Sequence, residues 1–73
     1  MNFAESIRMI RKKNLLSQES FAKELGVSFA TVNRWESGKY KPTYKTMKLI
    51  DEYCKRTNID YDIYEIIMRE KLL

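Results

Sequence analysis

The chain has 73 residues, 44% of them hydrophobic and 33% charged, and a net charge of +4. That length allows one small core and excludes an elaborate buried active site, while the hydrophobic share argues against wholesale disorder. No stretch approaches the roughly 18 apolar residues of a membrane span, and Met1-Asn2-Phe3-Ala4-Glu5 lacks the basic run and apolar stretch of a signal peptide; a cytoplasmic single domain over 1–73 with no membrane partner is expected.

Asn2 and Glu5 have the spacing of a capping box, which predicts a first helix with Phe3, Ile7 and Ile10 on its core face and Glu5, Arg8 and Lys12 mostly outward. Asn14 closes it, and the pair Leu15-Leu16 is expected to anchor the following loop. Ser17 is the second N-cap, with Gln18 and Glu19 in the first turn and Phe21, Ala22 and Leu25 inward. Gly26 ends that helix because glycine takes a positive φ at little cost, and Ser28 opens a third helix that Gly38 is expected to stop. A capped helix, a glycine turn and a second capped helix thus occupy Ser17 to Glu36, the compass of a helix-turn-helix.

Pro42 argues against helix through Lys39-Tyr40-Lys41-Pro42, and Thr43 can cap a fourth helix. Met47, Ile50 and Cys54 share one face of it, Leu49 and Tyr53 flank them, and Lys45, Lys48 and Glu52 stay wet. Arg56-Thr57-Asn58 reads as a break, with Asp60 as the expected cap of a last helix reaching about Leu72. Within residues 57–73, Ile63, Ile66, Ile67, Tyr64 and Met68 form a broader apolar surface than a terminal helix needs. That surface either joins a homodimer interface or completes the monomer's own core.

In a helix-turn-helix the first helix crosses the DNA backbone and the second enters the major groove. Phe29, Ala30, Asn33 and Arg34 then become the candidates for base contact. Arg34 can donate two hydrogen bonds to guanine, Asn33 can recognise adenine or hold a phosphate, and Phe29 and Ala30 can meet a thymine methyl, unless Phe29 packs inside the protein. Gln18 and Ser28, at the starts of the two motif helices, are candidates for phosphate contact, as are Lys39, Lys41 and Lys45, whose alternative is plain solvated surface. Tyr40 either touches the backbone or packs over its loop. Trp35 shares the core face of the third helix with Val32. Glu36 is unfavourable beside DNA unless its charge is occupied, and Arg11 is the expected structural partner.

Charge supports this division. Residues 1–48 carry a net +6 and residues 49–73 a net −2, so the positive charge accompanies the motif. Cys54 is alone and histidine is absent, which leaves no disulfide, no metal-ligand cluster and no nucleophile–His pair. No enzyme, cofactor or metal is expected, and Cys54 is read as a small buried apolar group.

The stretches Leu16-Ser17-Gln18-Glu19-Ser20-Phe21-Ala22, Leu25-Gly26-Val27-Ser28 and Val32-Asn33-Arg34-Trp35-Glu36-Ser37-Gly38, with Pro42 after them, strongly resemble the phage-repressor and Cro-like helix-turn-helix (XRE) family. The resemblance covers about residues 4–55. It implies an all-α, five-helix, repressor-like DNA-binding domain, commonly a homodimer on a two-fold operator. It also implies phosphate contact at Gln18, base-facing positions at Phe29, Ala30 and Arg34, and a structural ion pair between Arg11 and Glu36. One departure stands out: polar residues often fill the first two reading positions, whereas here they are Phe29 and Ala30, which favours methyl contacts. The leading expectation is a sequence-specific, double-stranded DNA-binding transcription regulator, a small repressor. The alternative is a protein-interaction or antitoxin-like regulatory module working through the Ile63–Met68 surface.

Overall fold

Five helices and no strand make up the described part of the computed structural model, which comprises residues 2–69 without the side chains of Ile66 and Ile67. They are α1 (Phe3–Lys13), α2 (Gln18–Leu25), α3 (Phe29–Trp35), α4 (Tyr44–Arg56) and α5 (Ile63–Arg69). The residues expected to extend the last helix to Leu72 lie beyond the described ones.

Each helix begins where a short polar side chain can replace a missing backbone acceptor. The side chains of Asn2, Ser17, Ser28 and Thr43 accept from the amides of Glu5, Ser20, Thr31 and Thr46 at 2.8, 3.1, 3.1 and 3.3 Å. Glu5 completes the capping box by accepting from the Asn2 amide at 3.2 Å. At α5 the cap is Asp62 rather than the expected Asp60: its carboxylate accepts from the amides of Tyr64 and Glu65 at 3.0 and 3.3 Å. The physical reason lies in the linker. Ile59 packs on the core and the Tyr61 hydroxyl bonds that of Ser6 in α1, which keeps 59–62 out of helix and moves the cap two residues along.

The ends of α1, α2 and α4 share one closure. Leu15, Gly26 and Asn58 have φ of 56°, 70° and 58°. In each case the amide of that residue and of the next turn back to the helix: Leu15 and Leu16 to Lys12 and Arg11, Gly26 and Val27 to Lys23 and Ala22, Asn58 and Ile59 to Lys55 and Cys54. This is the Schellman arrangement, and the apolar residue after the left-handed one, Leu16, Val27 or Ile59, packs against the core. Leu15 therefore does not anchor its loop as expected. It is 93% exposed, because the left-handed turn points it outward so that Leu16 can point in. Helix α3 ends differently, at Trp35, three residues before Gly38: the Ser37 amide and hydroxyl both donate to the Arg34 carbonyl, at 3.2 and 2.7 Å.

The core draws Phe3, Ile7 and Ile10 from α1, Phe21, Ala22 and Leu25 from α2, and Val32 and Trp35 from α3. Met47, Ile50, Tyr53 and Cys54 of α4 and Ile63 of α5 complete it. Helix α2 packs on α3, α1 on α3 and α5, and α4 on α5. Fully buried Tyr53 stacks edge-on against Phe21 with centroids 5.3 Å apart, lies under the Arg56 guanidinium, and accepts from Asn14 Nδ2 at 2.7 Å. Among the described residues no buried side-chain polar atom lacks a hydrogen-bond partner.

Candidate nucleic-acid interface

Helix α3 is seven residues long, too short to persist without packing, and two of its residues supply that packing. Val32 and Trp35, three apart, are buried. The opposite surface is left open: Ala30, Asn33 and Arg34 are exposed, and Phe29 is 52% exposed rather than turned inward. Ser28 is exposed at the N-terminus of α3, where its hydroxyl bonds both the amide and the hydroxyl of Thr31.

The C-terminus of α3 is tied to α1 by arginines. Arg11 Nε and Nη2 donate to the two carboxylate oxygens of Glu36 at 2.8 and 3.0 Å, and the Glu36 side chain is only 4% exposed. Arg11 Nη1 also donates to the Leu16 carbonyl at 2.9 Å, so one guanidinium joins α1, the loop before α2 and the end of α3. Arg8, expected to point mostly outward, is half-buried and donates from Nη1 to the Glu36 carbonyl at 2.7 Å. An unsatisfied carbonyl at a helix end attracts such a cation. The signal was available in the sequence, since Arg8 and Arg11 are three apart and share a face of α1.

Gln18, half-buried at the start of α2, links this pair to the open face. Its Nε2 donates to Glu36 Oε1 at 3.1 Å, and its Oε1 accepts from Asn33 Nδ2 at 3.2 Å. The negative charge of Glu36 is thereby surrounded by donors on the inner side of α3.

A family model described as helix-turn-helix matches residues 7–61. The chain belongs to the XRE-type helix-turn-helix family. Its members are DNA-binding transcription regulators and are generally not enzymes. Over all 73 residues the chain is 33% identical to the HTH-type transcriptional activator BcrR of Enterococcus faecalis, and it spans about a third of that protein's length. No solved structure matches the chain.

In helix-turn-helix terms, α2 and α3 are the motif, and the basic segment after α3 lies on the way to α4. Lys39, Lys41 and Lys45 are all exposed there. The turn leading to them is organised by Ser37, whose hydroxyl accepts from the Lys39 amide at 3.3 Å. Tyr40 packs over its own loop: its ring lies 6.0 Å from that of Phe3 and its hydroxyl bonds Thr46 Oγ1 at 2.8 Å. Tyr44, which sequence reasoning passed over, is 76% exposed between Lys41 and Lys45.

Away from the motif, burial and the neighbouring charge of Asp51 push the Cys54 thiol up to about 11, so it is an uncharged core group at neutral pH. Exposed Lys55 is shifted upward by its hydrogen bond to Asp51, 3.0 Å away. Tyr64 and Met68 on α5 are exposed, Ile63 is in the core, and the side chains of Ile66 and Ile67, also named for the broad apolar surface, lie outside the described ones. Among the described residues no cluster of His, Cys, Asp or Glu could hold a metal ion, and no helix is long and apolar enough to cross a membrane.

Proposed function

We propose that this chain binds double-stranded DNA with sequence preference, in the cytoplasm, and regulates transcription by laying the outer face of α3 in the major groove. The observation that carries the proposal is the division of α3 into a buried side, Val32 and Trp35, and an open side of Phe29, Ala30, Asn33 and Arg34, with Glu36 neutralised behind it. Arg34 reads guanine through two hydrogen bonds, Asn33 reads adenine, and Phe29 and Ala30 meet thymine methyl groups. Gln18 and Ser28, at the N-termini of α2 and α3, meet phosphates and set the register, and Lys39, Lys41 and Lys45 neutralise the flanking backbone.

Two copies bind a two-fold site as a homodimer, with α5, where Tyr64 and Met68 are exposed, as the pairing surface. Repression follows where such a site overlaps a promoter. The similar BcrR is named an activator, so a reporter carrying the selected site either over or upstream of the promoter distinguishes the two signs.

The decisive experiment is selection of binding sites from random duplex DNA at one fixed salt concentration, followed by titration of wild type and Arg34→Ala. The expected result is a defined motif and a loss of about 1–3 kcal/mol of discrimination at one base pair in the variant. Equal preference of both proteins for the same sequences refutes readout by Arg34. Mass measurement of the complex, with two chains expected per site, tests the dimer.

A further inference from the structure

We propose that Glu36, acting through Gln18, sets which base Asn33 prefers. This rests on the DNA-reading proposal above. A carboxylate only accepts hydrogen bonds, and both oxygens of Glu36 already accept from Arg11. Gln18 can therefore approach Glu36 only with its NH2 end, and Nε2 donates to Oε1 at 3.1 Å. That choice turns Gln18 Oε1 toward Asn33, which must answer with its own NH2 end, and Nδ2 donates at 3.2 Å. The polarity of a buried carboxylate is passed through two amides to the groove-facing surface. Flipping either amide opposes two donors or two oxygens.

The consequence is at the far end of the chain. Asn33 keeps Oδ1 and a single N–H for a base, an acceptor beside a donor. Adenine offers the complement, its N6 amino group beside N7. Guanine offers only the acceptors O6 and N7, which leaves Oδ1 without a partner at the interface. Glu36 and Gln18 are positioning residues in this scheme, since the preference is expressed by Asn33.

The test compares wild type, Gln18→Met, Asn33→Ala and the double variant by DNA selection and titration at fixed salt. Wild type should prefer adenine to guanine by about fivefold or more at one position of its motif. Asn33→Ala removes that ratio, Gln18→Met removes it as well while weakening all sequences alike, and the double variant shows the same absent ratio as Asn33→Ala with the uniform weakening added. A ratio preserved in Gln18→Met, or changed by Gln18→Met in the Asn33→Ala background, overturns the relay. A DNA-free measurement separates its failure from that of DNA reading: Gln18→Met should shift the Asn33 side-chain NH2 resonances, and Asn33→Ala those of Gln18. A wild type with no sequence preference but intact reciprocal shifts refutes DNA reading, and with it the base preference, whereas a selected motif without reciprocal shifts refutes the relay alone.

Discussion

Replacing Glu36 by glutamine removes one charge and one acceptor from a site where three donors converge: Arg11 Nε, Arg11 Nη2 and Gln18 Nε2, at 2.8, 3.0 and 3.1 Å. The amide keeps one oxygen but turns an NH2 group toward the guanidinium, so at least one charge-assisted hydrogen bond is lost, at about 1.5–3 kcal/mol. The guanidinium is itself left mostly buried without its counter-charge, since the Arg11 side chain is 14% exposed, and breaking a buried pair outright costs about 3–5 kcal/mol. A loss of about 2–3 kcal/mol is expected. A domain of this size is stable by about 4–11 kcal/mol, so the variant still folds, with Tm lower by about 10–20 °C.

Urea unfolding followed by the fluorescence of Trp35, the single and buried tryptophan, measures this directly. Repeating it at about 0.1 M and 1 M salt separates a buried pair from a surface one, because salt screens exposed charges far more. Arg11→Met alone and combined with Glu36→Gln closes a double-mutant cycle, in which the double variant should lose less than the sum of the singles. A loss below about 1 kcal/mol, or one that vanishes at high salt, would show that the pair behaves as a solvated surface bridge and that α3 is held by Val32 and Trp35 without it.

The other predictions concern the helix ends, the thiol and the lysines. Leu15→Asn should raise stability by about 0.5–1 kcal/mol in the same assay, because Leu15 holds a left-handed conformation that asparagine tolerates better and its exposed side chain packs on nothing that would be lost. Gly26→Ala should cost about 1–2 kcal/mol through φ alone, as no atom lies within 4 Å of the added methyl group. Cys54 should resist a thiol reagent at pH 8 until the protein unfolds. Its folded pKa of about 11 exceeds the unfolded value of about 8.5–9, so the unfolded chain releases its proton first and stability falls from about pH 9 to 11, by at most about 1.4 kcal/mol per pH unit. Cys54→Ala should remove that part of the alkaline loss. Alanine at Lys39, Lys41 or Lys45 should weaken binding to all DNA sequences alike and reduce the salt slope by about 0.9 each, whereas a change confined to one sequence would contradict a phosphate role.

Much of the fold was legible because caps and periodicity are local. Asn2, Ser17, Ser28 and Thr43 lie within hydrogen-bonding reach of amides three residues on, so their order along the chain sets four helix starts. Gly26 was readable as a turn because its residue type matches its φ, whereas Leu15 adopts the same conformation with a side chain that gives no such sign. Asp60 and Asp62 are equally good caps by type, and the choice between them came from Ile59 and Tyr61, whose partners are distant in the chain.

The same distinction runs through the candidate interface. The order of residues alone separates an inner side of α3, Val32 and Trp35, from an outer side of Phe29, Ala30, Asn33 and Arg34, because a helix repeats every 3.6 residues. It also supplies the positive charge around the motif and the family resemblance. Residue order cannot tell which polar atoms meet across helices. That Arg8 grips the Glu36 carbonyl, that Gln18 stands between Glu36 and Asn33, and that Tyr40 turns back to Phe3 and Thr46 were decided by packing. Hydrogen bonds reach about 3 Å, and only the assembled helices bring polar groups 15 to 28 positions apart within that distance.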